Sequence, residues 1–295
     1  MQNTPFKSGF VSIIGKPNAG KSTLLNQLLG RKLSITTPKA QTTRHRIFGI
    51  DHGEGYQIVY SDTPGLIRPK YRLHERMNTF IDQSMEDADL LILLMAADET
   101  FPEADLIEKV NASKVPVFLV LNKMDIVPHD TLLLRMHTLS EKIPFVEAIP
   151  ISALHGTQVP KLKELILANL KEGPAYFPED QISDRPERFF AAEIIREKIF
   201  MQLREELPYS TEVEVEEFIE TEERVRINAV IHVERQNHKG MVIGKQGQTL
   251  KAIGTKARKD IELFLNQSVH LQLYVRVTTN WKDSITALKG FGYSE

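Results

Sequence analysis

The sequence predicts an α/β domain, a mostly parallel sheet with helices on both faces, followed by a smaller α+β domain. Three observations predict it. Up to Glu172, short apolar runs alternate with helical stretches, the βαβ rhythm of a parallel sheet. The stretch "KEGPAYFPEDQISDRPERF" then breaks all periodicity with Pro174, Pro178, Pro186 and Gly173. Beyond it the patterns run α-β-β-α-α-β. A chain of 295 residues, 41% of them hydrophobic, can build two cores. The expected organisation is a first domain over 1–172, a linker over 173–188 and a second domain over 189–295.

The first domain's expected strands are Phe10–Ile14, Gln57–Ser61, Leu90–Ala96, Val117–Leu121 and Glu147–Ile151, with helical patterns at Ser22–Leu29 and Lys161–Leu170. Gly30 suits the C-terminal cap of the first helix. The run "LLILLMAA", Leu90 to Ala97, is far short of the ~20 residues of a membrane helix; it reads as a strand buried on both faces. In the second domain, Phe190, Ile194, Ile195, Ile199 and Leu203 recur at helical spacing. "TEVEVEEFIE" and "RVRINAVIHV" alternate as two strands, a helix follows near Gln248–Asn266, and "VHLQLYVRV" is the last strand. "WKDSITALKGFGY" reads as a closing helix and tail, with Trp281 more a packing anchor than a stacking platform.

Composition narrows the chemistry. There are 0 cysteines, so disulfides, thiolate metal sites and Cys nucleophiles are excluded, which fits a reducing compartment. The start "MQNTPFKSG" has no signal-peptide pattern, and a cytoplasmic location is expected. A formal net charge of -2 points to no polyanionic partner, so any basic surface has to be local. The histidines show no metal-ligand spacing.

"GKPNAGKS" follows the apolar "FVSII" and opens a helix. In that context its backbone N–H groups and the helix N-terminus solvate phosphate oxygens. Lys21 supplies a point charge to the β- and γ-phosphates, and Ser22 offers its hydroxyl to Mg²⁺. Gly15, Lys16, Pro17, Asn18, Ala19, Gly20, Lys21, Ser22 and Thr23 are expected to bind nucleotide.

Three more segments lie at strand ends. "DTPG" supplies Asp62, Thr63, Pro64 and Gly65; the Asp62 carboxylate can hold Mg²⁺, and the Gly65 N–H can meet a γ-phosphate. "NKMD" supplies Asn122, Lys123, Met124 and Asp125. Guanine offers N1–H and a 2-amino group that a carboxylate accepts as a pair; adenine would leave Asp125 unpaired, so GTP is favoured over ATP. Asn122 is expected at the opposite edge of the base, the Lys123 stem over the ring, and the Ala153 N–H of "ISA" on the guanine oxygen, beside Ser152.

These segments, with "QTTRHR", resemble the five sequence boxes of translation-factor-type GTPases and are closest to the Era type, over essentially the whole chain. The resemblance implies an α/β P-loop GTPase domain and makes "QTTRH" switch I, with Thr43, or alternatively Thr42, binding Mg²⁺ in the GTP state. It also implies that Asn18 ligates K⁺. Lys21, Thr43 and Gly65 are then the catalytic set. One part is missing: Leu66, after "DTPG", cannot polarise water. Slow intrinsic hydrolysis, stimulated when cation or RNA orders switch I, is the expectation. Arg44, Arg46 and Arg68 lie in or near the switches without identifying themselves as a finger.

In the second domain, Gly244-Lys245-Gln246-Gly247 is a GxxG after Ile243. From Arg235 to Lys259 there are seven basic residues (among them Lys245, Lys251, Lys256, Arg258 and Lys259) and no acid, whereas Glu212 to Glu223 holds seven glutamates. With the α-β-β-α-α-β order this resembles a type II KH domain, whose GxxG loop clamps single-stranded nucleic acid. Ile243, Ile253 and the strand apolar residues would then form the base platform. The resemblance implies binding to the 3′ end of small-subunit ribosomal RNA and a role in small-subunit assembly, by a monomer, with peripheral membrane contact and no DNA partner. The alternative is a constitutive RNA-binding or membrane-edge scaffold whose first domain only senses nucleotide.

Overall fold

The computed structural model describes residues 5–99 and 104–293. Two compact units emerge: one holds residues up to Arg68 together with Met77–Asp184, the other Pro69–Arg76 and the residues from Arg185 on.

The first unit carries β1 (Lys7–Ile14), α1 (Lys21–Leu29), β2 (Ile47–Gly53), β3 (Tyr56–Asp62), most of α2 (Arg72–Glu86), β4 (Leu90–Ala96), α3 (Ala104–Asn111), β5 (Val117–Asn122), α4 (His129–Ser140), β6 (Glu147–Pro150) and α5 (Val159–Asn169). The sheet order is β2-β3-β1-β4-β5-β6, with β2 antiparallel to β3 and the other pairings parallel. All seven residues of β4 are buried, as a central strand covered on both faces requires. Its odd-numbered residues Leu91, Leu93 and Met95 pack with Ile81 of α2, Leu106 and Val110 of α3, and Leu132 and Leu139 of α4. On β2, a Cβ at Gly49 would come within 2.6 Å of Leu29 and 2.9 Å of Leu25, so glycine lets α1 lie close. Gly30 closes α1 in the left-handed region at φ 65°, the capping role expected of it.

Strand β2 is not among the strands expected from the sequence. The aperiodic stretch after Gly173 has defined partners in this unit: the Gln57 side chain accepts the Tyr176 N–H at 2.7 Å and donates to the Phe177 carbonyl at 2.7 Å. Further along, Ile50 N donates to Ile182 O at 3.0 Å and the Ser183 hydroxyl to Phe48 O at 2.6 Å. Up to Asp184 these residues belong to the first unit.

The second unit runs α6 (Glu187–Gln202), β7 (Thr211–Glu220), β8 (Val225–Val233), α7 (Gln236–Ile243), α8 (Gln248–Leu265), β9 (Val269–Val277) and α9 (Ile285–Gly290), the order read from sequence with the closing helix added. Strand β8 pairs antiparallel with β7 and parallel with β9. The parallel pairing needs a crossover, and α7 and α8 supply it, which puts the GxxG loop at their junction. Ile194, Ile195 and Ile199 of α6 meet Ile227 and Ile231 of β8 and Ile253, Ala257 and Ile261 of α8 in one core. Buried Arg196 donates to the Glu193 carboxylate, and the Tyr293 hydroxyl donates to Glu212 at 2.7 Å. Trp281 is fully buried with its indole N–H toward Ser210 O at 3.3 Å, a packing anchor.

Candidate functional site

Residues 15–22 leave β1 and enter α1. The backbone there depends on glycine at two points. A Cβ on Gly15 (φ 154°) would lie 2.2 Å from Leu94 O, and one on Gly20 (φ 101°) 2.2 Å from the Asn122 amide nitrogen. Lys21 is 6% exposed and donates to the Gly15 and Lys16 carbonyls at 3.1 and 3.0 Å. Burial pushes its pKa down to about 8, against the opposing pull of Asp62 and Glu99. The loop thus presents an ammonium group parked on carbonyls that phosphate oxygens can replace. Lys16 reaches back to Glu99 at 3.6 Å. Asn18 is left-handed, φ 63°, and its amide donates to Pro38 O at 3.3 Å.

The Ser22 and Thr43 hydroxyls are 2.8 Å apart. Thr42 instead donates to Lys39 O at 2.8 Å and bonds the Thr37 hydroxyl at 2.6 Å. Asp62, at the end of β3, is fully buried. Ser22, Thr43 and Asp62 make an all-oxygen donor set, the chemistry Mg²⁺ takes. Thr63 donates to Ile13 O at 2.8 Å, and Leu66 N meets Gly15 O at 3.3 Å, docking "DTPG" on the phosphate loop. Gly65 is close-packed there: its Cβ would be 2.5 Å from Pro17 N. Leu66 turns to the apolar core with α2 and β4. Thr36, Thr37 and Gln41 line the same cleft as Lys21, Ser22 and Thr43; Gln41 opens the "QTTRH" segment, while nearness to it was the only signal for Thr36 and Thr37. Arg44 is buried rather than a surface charge, Arg46 ion-pairs with Asp87 at 2.6 Å, and Arg68 is exposed.

On the base side, the Asn122 amide is engaged within the protein. It is 3% exposed, donates to Ala19 O at 2.8 Å and accepts the Ala153 N–H at 2.8 Å. The Ala153 N–H, expected on the guanine oxygen, is therefore engaged with Asn122. What results is a clamp joining the phosphate loop, "NKMD" and "ISA". Met124 N adds a bond to Ile151 O at 3.0 Å. The Lys123 ammonium lies 3.9 Å from Asp98. Asp125 opens to solvent, and a hydrogen bond from the Ser152 hydroxyl holds its carboxyl below the usual range.

In the second unit, Gly244 (φ 73°) could not carry a side chain, since a Cβ would be 2.1 Å from the Thr249 hydroxyl; Gly247 (φ 76°) has open space. Lys245 and Gln246 are exposed between them, as are Lys251, Lys256 and Lys259 along α8, while Arg258 pairs with Glu262 at 2.8 Å. Ile243 is half-buried. Ile253 is fully buried in the core, so it is no part of a base platform. Among the described residues no cluster of three or more His, Asp or Glu could hold a metal, and no helix is long and apolar enough to cross a membrane.

A P-loop GTPase domain followed by a KH domain is the class this architecture defines. Matching family models carry the same division: the 50S ribosome-binding GTPase model matches residues 10–123 and the KH domain model residues 206–282. A Geobacter GTPase Era is 49% identical over 99% of this chain and all of its own length. Two solved Era structures superpose over 98% of this chain and 100% of theirs, each at 41% identity. One is a complex with MgGDPNP and nucleotides 1506–1542 of 16S ribosomal RNA, TM-score 0.93; the other is an Aquifex aeolicus variant bound to GDP·AlF4⁻, TM-score 0.94. The chain belongs to the Era family of GTPases.

Proposed function

We propose that this GTPase is a nucleotide-controlled RNA-binding switch that captures the 3′ end of small-subunit ribosomal RNA through its GxxG loop and assists small-subunit assembly in the cytoplasm. The 2.8 Å approach of the Thr43 and Ser22 hydroxyls carries the reading: it puts a switch residue beside a phosphate-loop residue, so what happens at the γ-phosphate changes the path of residues 35–43. The RNA part draws on the Era relative crystallised with a 16S fragment and on the exposed lysines flanking the glycine-restricted loop.

In this reading Ser22, Thr43 and Asp62 hold Mg²⁺, which when bound supplies charge neutralisation across the β- and γ-phosphates. Lys21 leaves the Gly15 and Lys16 carbonyls for the phosphates. The loop amides and the Gly65 N–H face the charge that grows as water attacks in line and the bond to GDP breaks. Asn18 would offer its amide oxygen to K⁺, which would add positive charge beside the phosphates. Asp125, oriented by Ser152, accepts the guanine N–H pair, and the Lys123 stem covers the ring. Leu66, apolar and partly buried against the core, cannot polarise the water; in this reading intrinsic hydrolysis is slow, and K⁺ and RNA would accelerate it.

The test is RNA affinity measured with a non-hydrolysable GTP analogue, with GDP and without nucleotide. Tighter binding with the analogue supports the switch. Equal affinities would leave a constitutive RNA-binding scaffold.

A further inference from the structure

We propose that Glu99 is a positioning residue for GTP hydrolysis, acting through Lys16 on the backbone of the phosphate loop. The inference rests on the reading of residues 15–22 as the triphosphate site.

Glu99 stands three residues beyond the end of β4, and each of its polar groups is used. One carboxylate oxygen accepts the Ala96 N–H at 3.1 Å. The other faces the Lys16 ammonium at 3.6 Å. Its backbone carbonyl accepts the Arg135 guanidinium of α4. The Glu99 and Lys16 side chains are 14% and 22% exposed, so water and salt screen the pair less than an open surface pair. Lys16 in turn gives its carbonyl to Lys21 at 3.0 Å. A continuous path therefore runs from the rigid end of β4, through Glu99 and Lys16, to the ammonium that meets the phosphates.

Chemistry gives this path a purpose. Gly15 is fixed by its fit against Leu94 O and by the Leu66 N–H on its own carbonyl. Lys16 is the next residue, and its side chain anchors the start of the loop, as Asn122 anchors its far end through Ala19 O at 2.8 Å. When phosphates draw Lys21 away from the Gly15 and Lys16 carbonyls, two bonds that shaped the loop are lost. Glu99 keeps Lys16 in place through that exchange, so the loop amides stay aimed at the developing charge. GDP has no γ-phosphate and makes less demand on this alignment.

The experiment measures steady-state hydrolysis and GDP affinity of the full chain. Glu99→Gln keeps an acceptor for the Ala96 N–H, which preserves folding, and removes the charge that holds Lys16. Expected are a fall in kcat of about tenfold, the scale of small misplacements at a reacting centre, and GDP affinity within about twofold of wild type. The double variant Lys16→Ala with Glu99→Gln should be no slower than Lys16→Ala alone, because both act on one path. A wild-type kcat for Glu99→Gln, losses that multiply in the double variant, or GDP affinity falling in step with kcat would each overturn the proposal. Lys21→Ala separates this from the underlying reading. If it is inactive while Glu99→Gln is normal, the role of Glu99 alone fails; if it hydrolyses GTP at the wild-type rate, the site itself is misassigned.

Discussion

The Asn122 amide nitrogen donates to the Ala19 carbonyl at 2.8 Å, across 103 positions of sequence. The same side chain accepts from Ala153, so one residue ties the phosphate loop to both loops of the base side. Removing it leaves a buried carbonyl and a buried N–H unpaired, at roughly 1–3 kcal/mol for each. Asn122→Ala should therefore lower the thermal midpoint and weaken GTP and xanthosine triphosphate alike. Asp125→Asn should act differently. It replaces an acceptor pair with one donor and one acceptor, so guanine loses and xanthine gains. Competition binding with the two nucleotides, on both variants, distinguishes a clamp from a base reader. Selective loss of guanine in Asn122→Ala would refute the clamp.

Thr43 and Thr42 are neighbours in sequence with different partners. Thr43 meets Ser22, whereas Thr42 is committed to Lys39 and Thr37. Thr43→Ala should slow single-turnover hydrolysis by about 10²-fold and raise the Mg²⁺ concentration it needs, with GDP affinity retained. Thr42→Ala should cost about 1 kcal/mol of stability from lost local hydrogen bonds and leave the Mg²⁺ requirement in place. A Mg²⁺ titration of hydrolysis checks both; the reverse pattern would exchange their roles.

Much of this arrangement was legible because its signals are local. The run Leu90–Ala96 is apolar throughout, and a central parallel strand has no other pattern. "GKPNAGKS", "DTPG" and "NKMD" each sit where an apolar run ends, which placed their side chains at one edge of the sheet. Strand β2 was not legible. "IFGIDHG" holds two glycines and an Asp, and its burial depends on Leu25 and Leu29 of α1 filling the space over Gly49. The clamp at Asn122 was hidden for a related reason: its partners lie 103 and 31 residues away and only the fold brings them together. Ile253 shows the converse. Its spacing with Ala257 and Ile261 already marked a core face of α8, and that local signal was the better guide.

Lys21 makes GTP binding sensitive to alkali. Burial is the main cause of its low pKa of about 8, against an ordinary 10.5. A group with a depressed native pKa loses its proton in the folded protein first. Above about pH 8 the unfolded chain therefore binds more protons than the folded one, and stability from this group rises with pH. Binding runs the other way, because phosphate needs the ammonium form. GTP affinity should fall about tenfold between about pH 7 and about pH 9, as the protonated fraction of the free site drops. Calorimetric titration across this range checks it, with Lys21→Met as reference: weak binding that is nearly independent of pH. An equal pH slope in Lys21→Met would assign the effect to another group.

The two glycines of the GxxG loop both have positive φ, but Gly244 (ψ 177°) is extended where Gly247 (ψ 7°) is left-handed, and their surroundings differ. At Gly244 a Cβ would meet the Thr249 hydroxyl at 2.1 Å and the Thr249 N at 3.0 Å, at the first turn of α8. Gly244→Ala must shift either the loop or the helix start, so the approach of the backbone to an RNA phosphate changes. At Gly247 nothing lies within 4 Å, and alanine there meets only the left-handed backbone cost of roughly 1–2 kcal/mol. RNA affinity should thus fall about tenfold or more in Gly244→Ala and change little in Gly247→Ala, while GTP affinity is unaltered in both. Fluorescence anisotropy with a labelled single-stranded RNA reads the difference. Thr249→Ala removes the hydroxyl but keeps the Cβ at 2.8 Å and the backbone N at 3.0 Å, so it should not restore the binding lost in Gly244→Ala; recovery in the double variant would show that the hydroxyl alone was the obstacle.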